Sequence, residues 1–157
     1  MTVEARETVD AAELRAAIEG IYAMAAWYDA TGKAVAPEAD GRWVLVDGTF
    51  VSLLLKRDAD GSKQTIAMMG TYQIEDGAFT YGYDDGSYLI QRPDGSLDAP
   101  TVPFGERRRF EASRDDGSVV RLAWNDGAAE FRIGGLMIDY LEHGVVQRRW
   151  ERVRQAC

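Results

Sequence analysis

The residues with the clearest chemical potential lie close together near the C-terminal end of the chain. Asp139, Tyr140, Glu142 and the only histidine, His143, fall within one predicted strand and the turn that follows it. A buried carboxylate has a raised pKa and can act as a general base toward a carbon acid, while a tyrosine hydroxyl polarises a carbonyl. Asp139 is therefore a candidate base. The alternative is that the Asp139 side chain is exposed on an outer strand face and has no catalytic role, because an unpaired buried aspartate is rare.

A run of three arginines offers a complementary charge. Arg107-Arg108-Arg109 precedes Phe110, and strand alternation places Arg108 on the same face as Phe110. If that face points inward, Arg108 could hold a carboxylate, an enolate or a phenolate. The alternatives are an internal ion pair or a strand whose Phe110 faces outward. The predicted catalytic set is Asp139 as the base, Tyr81 as a hydroxyl donor and Arg108 as the anion-stabilising group.

Aromatic side chains alternate with small ones on several predicted strands. Phe79, Tyr81 and Tyr83 share one face of a strand, with Thr80 and Gly82 on the other. Rings that surround an enclosed space suit a flat, largely apolar ligand with one or two polar groups, although plain core packing is the alternative. The predicted ligand-binding residues are Tyr22, Met24, Met68, Tyr72, Phe79, Tyr83, Phe110, Trp124 and Tyr140.

Frequent Asp-Gly dipeptides indicate how these side chains are positioned. Both central residues of a type I′ hairpin turn need positive φ, which Gly adopts freely and Asp tolerates. A chain that reverses this often predicts an antiparallel meander, and about eight strands most simply close into a barrel with room for one small ligand. The dipeptides begin at Asp40, Asp47, Asp60, Asp76, Asp85, Asp94, Asp116 and Asp126.

One short helix is predicted before the first strand. Asp10 is a favourable N-cap, Glu13 completes a capping box, and Leu14 and Ile18 lie one turn apart on a single face. The helix is expected to end near Gly20.

The remaining segments are predicted to be strands joined by turns. An extended segment is expected at 35–37, and the irregular segment 92–105 is typical of a lid or the mouth of a cavity. The predicted strands are 21–28, 42–46, 49–56, 65–75, 78–83, 88–91, 106–113, 118–124, 128–133, 136–142 and 145–153.

Several short motifs occur in the order found in one known family. The chain resembles the bacterial lipocalin-like domain family, relatives of the calycin barrels, over about residues 18 to 153. This resemblance implies an eight-stranded barrel with an apolar cavity and no single activity. Tyr22 and Tyr81 stand where the family often has Trp and His. The matching motifs are Gly20-Ile-Tyr22, Asp29-Ala-Thr-Gly32, Val35-Ala-Pro37, Gly41, Trp43–Val46, Asp47-Gly48, Gly70-Thr-Tyr72, Asp76-Gly77, Arg109-Phe110 and Trp150-Glu-Arg152.

Composition narrows the classes of partner. The 157 residues carry a net charge of −8, which disfavours nucleic acid. With one histidine and one cysteine, Cys157, the chain is not expected to bind a metal ion. A single cysteine cannot form an internal disulfide, which fits the reducing cytoplasm, so a cytoplasmic location is expected. No apolar run reaches the ~18 residues that span a membrane. The expected organisation is a flexible N-terminus, 1–9, and a single domain, 10–157.

The expected function is the binding of a small apolar or aromatic molecule with a polar group inside the barrel, without a cofactor. The alternative is a cofactor-independent isomerase, cyclase, lyase or dehydratase that uses acid/base residues in the same cavity. A third interpretation is a scaffold with a filled core. Assembly into a homodimer is left open.

Overall fold

A computed structural model describes residues 6–29, 31–34, 38–115 and 117–153. The extended segment expected at 35–37 and the Asp116 turn residue lie outside these ranges. The elements are β1 (Glu7–Thr8), α1 (Ala11–Ile18), β2 (Gly20–Trp27), β3 (Glu38–Val46), β4 (Thr49–Arg57), β5 (Lys63–Glu75), β6 (Ala78–Gln91), β7 (Leu97–Asp98), β8 (Arg108–Asp115), β9 (Val119–Trp124), β10 (Ala129–Gly134), β11 (Met137–Glu142) and β12 (Val145–Arg152).

The strands form one antiparallel sheet that closes on itself. The order is β8-β9-β10-β11-β12-β2-β3-β4-β5-β6, and β6 pairs with β8 to complete the circle. Ten strands of the described chain make this barrel, while β1 and β7 lie outside it. The closed antiparallel barrel is thus confirmed, but the predicted number of about eight strands was wrong. The short strands β9 to β11 each occupy a separate place in the wall.

Two of the Asp-Gly pairs lie inside strands, where turns were predicted. Asp40-Gly41 is part of β3, and Asp85-Gly86 is part of β6, which joins the two strands predicted at 78–83 and 88–91. Opposite Asp85 the β5–β6 register shifts, which leaves Asp84 as an extra residue. A Cβ on Gly86 would lie 2.3 Å from the carbonyl oxygen of Ala67. Gly86 is therefore required because two strands approach closely at this position, whereas the glycines of the Asp-Gly pairs that lie at turns, such as Gly48, allow the chain to reverse.

The turn chemistry holds at the hairpin between β3 and β4. Asp47 has φ of 49° and Gly48 has φ of 79°, so both central residues take the left-handed conformation. His143 (φ 47°) and Gly144 (φ 79°) do the same between β11 and β12. The strongest turn signals in the sequence therefore fix local reversals as expected.

Helix α1 covers one end of the barrel. The Asp10 side chain accepts a hydrogen bond from the Glu13 amide at 2.8 Å, as predicted for the cap. Leu14 and Ile18 are buried, and the Tyr22 hydroxyl donates to the Ile18 carbonyl at 2.7 Å. The helix is therefore anchored on the wall by both apolar and polar contacts, and this end of the barrel is closed.

The segment ahead of the helix was expected to be flexible over residues 1–9. Of these, residues 1–5 lie outside the described ranges. Glu7–Thr8 pairs with β8 as β1, and the side chain of Val9 is fully buried. No helix in the described part of the chain has the length and apolar character needed to cross a membrane.

Candidate functional site

A cavity of about 270 Å³ lies inside the barrel, away from the end that α1 covers. Residues of seven barrel strands and of the connection between β7 and β8 contribute to it. The lining residues are Trp43, Ser52, Tyr81, Gly82, Tyr83, Val102, Pro103, Glu106, Arg108, Phe131, Tyr140, Glu142, Arg148 and Trp150.

Strand alternation explains why these side chains point inward. On β6, Tyr81 and Tyr83 continue the inner face that begins with the buried Phe79. On β12, Arg148 shares its face with the buried Trp150. On β8, Arg108 lies two residues before the buried Phe110 and therefore shares its inner face. Charged and aromatic side chains therefore face one another across the cavity.

Packed rings form the floor of the cavity. The ring of Phe110 lies 5.1 Å from that of Phe131 and 5.7 Å from that of Tyr81. Trp43 stacks on Phe131 at 5.6 Å with an interplanar angle of 18°. Such offset and tilted contacts are the favoured arrangements of aromatic pairs. This packing fills the barrel below the cavity.

The connection between β7 and β8 forms part of the rim. The Gly105 amide donates to the Tyr83 carbonyl at 2.9 Å, so this connection follows the edge of β6. A Cβ on Gly82 would lie 2.1 Å from the Glu106 carbonyl oxygen, so only glycine allows this approach. Val102 of the same segment reaches the cavity. The predicted irregular segment 92–105 thus contains the short strand β7 and then contributes to the mouth.

Burial changes the acidity of three tyrosines in the cavity. It raises the pKa of Tyr81 and of Tyr83 above the usual value for a phenol. Burial also raises the pKa of Tyr140 to about 12, helped by a hydrogen bond that the Tyr140 hydroxyl donates to Glu142 Oε1 at 2.9 Å. All three phenols therefore keep their protons at neutral pH. The Tyr140 proton is donated to Glu142, whereas the hydroxyls of Tyr81 and Tyr83 can donate to a ligand.

Each of the two cavity arginines lies against a tryptophan. The guanidinium of Arg108 is 4.6 Å from the ring centre of Trp124, and that of Arg148 is 4.7 Å from the ring centre of Trp27. These distances are typical of cation–π contacts. Trp27 meets Arg148 because Ala25 is an extra residue in the β2–β12 register.

The structure brings together two of the three predicted catalytic residues. Tyr81 and Arg108 both line the cavity and are cross-strand neighbours in the β6–β8 ladder. Asp139 instead belongs to the outer face of β11, where Arg149 donates to its two carboxylate oxygens at 2.7 and 3.0 Å. Asp139 is therefore not placed to act on a molecule in the cavity, and catalysis by Tyr81 and Arg108 stays a prediction.

The predicted ligand-binding residues divide by position. Tyr83 and Tyr140 line the cavity, Phe79 and Phe110 pack below it, and Trp124 supports Arg108.

The other four lie elsewhere in the structure. The hydroxyl of Tyr72 donates to Glu19 at 2.7 Å beside the helix, and that of Tyr22 bonds to the helix itself. Met68 is buried and Met24 packs partly buried against the core. None of these four belongs to the cavity lining.

Sequence reasoning missed much of the lining. Arg148 is absent from the predicted site residues, although its spacing of two from Trp150 indicates a shared strand face. Ser52 lies two residues from the buried Phe50 and Leu54, and Glu106 lies four residues before the buried Phe110 in the predicted strand 106–113, so the same period of two indicated both. The other lining residues absent from the predicted sets are Trp43, Gly82, Val102, Pro103, Phe131, Glu142 and Trp150.

Over the described ranges, no three or more His, Cys, Asp or Glu side chains gather where they could hold a metal ion. Fold and site together define a closed antiparallel barrel with an internal cavity, a form consistent with the lipocalin-like family without identifying it. No family model matches the chain, and comparison with curated proteins and with solved structures found no match either.

Proposed function

We infer that this protein binds a small apolar or aromatic molecule with a polar group inside its barrel. The observation that carries this proposal is the cavity of about 270 Å³, walled by aromatic rings and supplied with tyrosine hydroxyls and arginines. Ligand sites are typically concave, mostly apolar and equipped with a few convergent polar groups. The cavity lies just below the range of about 300–1,000 Å³ for drug-sized ligands, so a molecule of one or two rings fits best.

The position of the cavity supports the same proposal. The end near α1 is filled by Leu14, Ile18 and Tyr22, all buried. At the other end, the exposed residues Glu106 and Glu142 lie on the rim, so the cavity communicates with solvent. A barrel that served only as a filled scaffold would gain stability from side chains in that space.

Binding can be tested with indole, naphthol and naphthoate, followed by saturation-transfer NMR and by the fluorescence of the cavity tryptophans. Ser52→Phe places a ring inside the cavity, and Ser87→Phe is the matched change on an exposed position of β6. We expect at least one probe to bind wild type and Ser87→Phe, and to lose binding to Ser52→Phe. Failure of every probe to bind wild type, or equal binding to folded Ser52→Phe, would overturn the proposal.

One contact favours a second candidate, the cofactor-independent enzyme. The Tyr140 hydroxyl donates to the Glu142 carboxylate at 2.9 Å at the edge of the cavity, which pairs a proton donor with an acceptor. The test uses phenylpyruvate in deuterated water, where NMR follows loss of its carbon-bound benzylic protons. Exchange faster than in buffer for wild type, but not for Glu142→Gln, would support proton abstraction. Equal rates in all three samples would exclude it for this probe.

A further inference from the structure

The two arginines of the cavity have no anionic partner among the residues that the structure describes. Over the described residues, neither Arg108 nor Arg148 forms an ion pair or donates a hydrogen bond, and the buried Nε of Arg148 has no hydrogen-bond partner. Arg152 also has a buried Nε without a partner, but its Nη2 donates to three oxygens. Glu106 and Glu142 line the same cavity without pairing with either arginine.

Such an arrangement is costly unless something completes it. A cation in a low-dielectric environment that lacks a counter-charge loses solvation without compensation. The tryptophan rings of Trp124 and Trp27 offset part of this cost and hold each guanidinium against one plane. The N–H groups at the edge of a guanidinium lie in its own plane, so stacking leaves them free to bind an anion.

Tyrosine hydroxyls stand beside both arginines. Tyr81 is the cross-strand neighbour of Arg108 in the β6–β8 ladder, and Tyr140 is that of Arg148 in the β11–β12 ladder. Directly opposite residues on one face have Cβ atoms about 4.5–5.5 Å apart. The charges of Arg108 and Arg148 both lower the pKa of Tyr81 and of Tyr140, although burial raises each pKa by more. The two positive charges therefore act on the same region of the cavity. A ligand there meets two guanidinium groups and the neutral Tyr81 hydroxyl as a donor, while the Tyr140 hydroxyl donates its proton to Glu142 and can accept a hydrogen bond.

We propose that the cavity selects a small aromatic carboxylate, whose carboxylate group binds Arg108 and Arg148 while its ring packs against Trp43, Phe131 and Trp150. This inference rests on the proposed ligand-binding function and names the class of ligand. The planar fork of arginine matches the two oxygens of a carboxylate. A single negative charge fits best, because Glu106 and Glu142 at the rim disfavour a second one.

The test compares naphthoate with naphthamide, its neutral counterpart of nearly the same shape, by isothermal titration calorimetry on the full chain. We expect wild type to bind naphthoate at least about tenfold more tightly, since hydrogen bonds to charged groups have that strength. Arg108→Gln and Arg148→Gln should each remove most of this preference and leave naphthamide affinity within about twofold. Arg149→Gln, on the outer face of the same strand, is the matched control and should change neither affinity.

The outcomes separate the inference from the function on which it rests. Equal affinity of wild type for both compounds would overturn the selection of carboxylates and leave the binding function intact. Unchanged preference in folded Arg108→Gln and Arg148→Gln would overturn the role of the arginines. Binding of neither compound would count against both proposals. The comparison of the two compounds on wild type needs no variant, so a variant that fails to fold leaves that part of the test in place.

Discussion

The outer and inner faces of the barrel wall use arginine in two different ways. On the outer face, Arg107 pairs with Asp84 at 2.7 Å and Arg109 pairs with Glu75 at 3.3 Å, whereas Arg108 between them points inward without an ionic partner in the described chain. Solvent weakens the outer pairs, so each contributes little. An ion pair inside the cavity would be stronger, but over the described residues no carboxylate pairs with Arg108 there.

The strand β12 repeats the same contrast with two consecutive residues. Arg149 faces outward and donates to both oxygens of Asp139, while Arg148 faces the cavity and lies over Trp27. One step along a strand therefore changes an arginine from a structural residue into one available to a ligand. The difference in pairing, rather than the presence of arginine, distinguishes the candidate site from the rest of the wall.

The largest effect on stability is expected at an outer-face ion pair whose carboxylate, that of Glu130, is buried. Glu130 is 5% exposed and accepts hydrogen bonds from Arg121 and Arg132. Glu130→Gln leaves Arg121 without its counter-charge and should lower the free energy of unfolding by about 3 kcal/mol. Urea denaturation at neutral pH measures this. Glu75→Gln, whose pair with Arg109 is exposed, is the control and should change it by less than about 1 kcal/mol.

The contribution of Glu130 also has a predicted dependence on pH. The hydrogen bond from Arg121 lowers the pKa of Glu130 below its usual value of 4.5. The folded state therefore holds the charged form more firmly than the unfolded chain does. This stability is present in full above pH 4.5 and is lost as pH falls through the lowered folded pKa. The difference between wild type and Glu130→Gln should narrow in acid, and a constant difference would contradict the assignment.

Exchanging the inner and the outer arginine for methionine sharpens the comparison. Arg148→Met removes a partly buried cation that has no ionic partner among the described residues, and it keeps an apolar stem against Trp27, so the free energy of unfolding should rise by about 1 kcal/mol. Arg149→Met leaves Asp139 unpaired and should lower it by up to about 1 kcal/mol. Thermal and urea denaturation decide between the two signs. Greater destabilisation by Arg148→Met than by Arg149→Met would show that the inner arginine is a structural residue.

The smallest expected effect concerns the cavity phenols at alkaline pH. Burial raises the pKa of Tyr140 from 10.0 to about 12, so its neutral form favours folding. This contribution is complete below pH 10 and is lost as pH rises through about 12. Wild type should therefore lose up to about 1 kcal/mol of its free energy of unfolding over that interval, after discounting for solvent screening. Tyr140→Phe has no phenol to ionise at this position and should not show this loss. Urea denaturation at neutral and alkaline pH tests it, and identical losses in both proteins would refute it.

Features that depend on neighbouring residues could be predicted from the sequence. The Asp10 cap, the buried Leu14 and Ile18 and the turn at Asp47-Gly48 each follow from a few adjacent positions. The shared face of Arg108 and Phe110 follows from strand alternation. For the same reason the candidate site was found in part, through Tyr81, Tyr83, Arg108 and Tyr140.

Features that depend on register could not be predicted in the same way. An extra residue in one strand moves every later side chain to the other face, and the position of that residue is set by the neighbouring strands. Asp84 in β6, Gln147 in β12 and Ala25 in β2 are such residues. The last one turns Trp27 toward Arg148.

The amino-acid sequence by itself determined an antiparallel chain of short strands with inward rings and a helix at one end, because turn chemistry and a period of two are local properties. The tertiary structure alone decided that β6 meets β8 after ten strands, that Asp139 lies outside with Arg149, and that Arg148 lies inside with Arg108. Those outcomes depend on how distant strands align across the barrel. Alignment is a property of the packed whole, since each register is fixed only when the wall is complete.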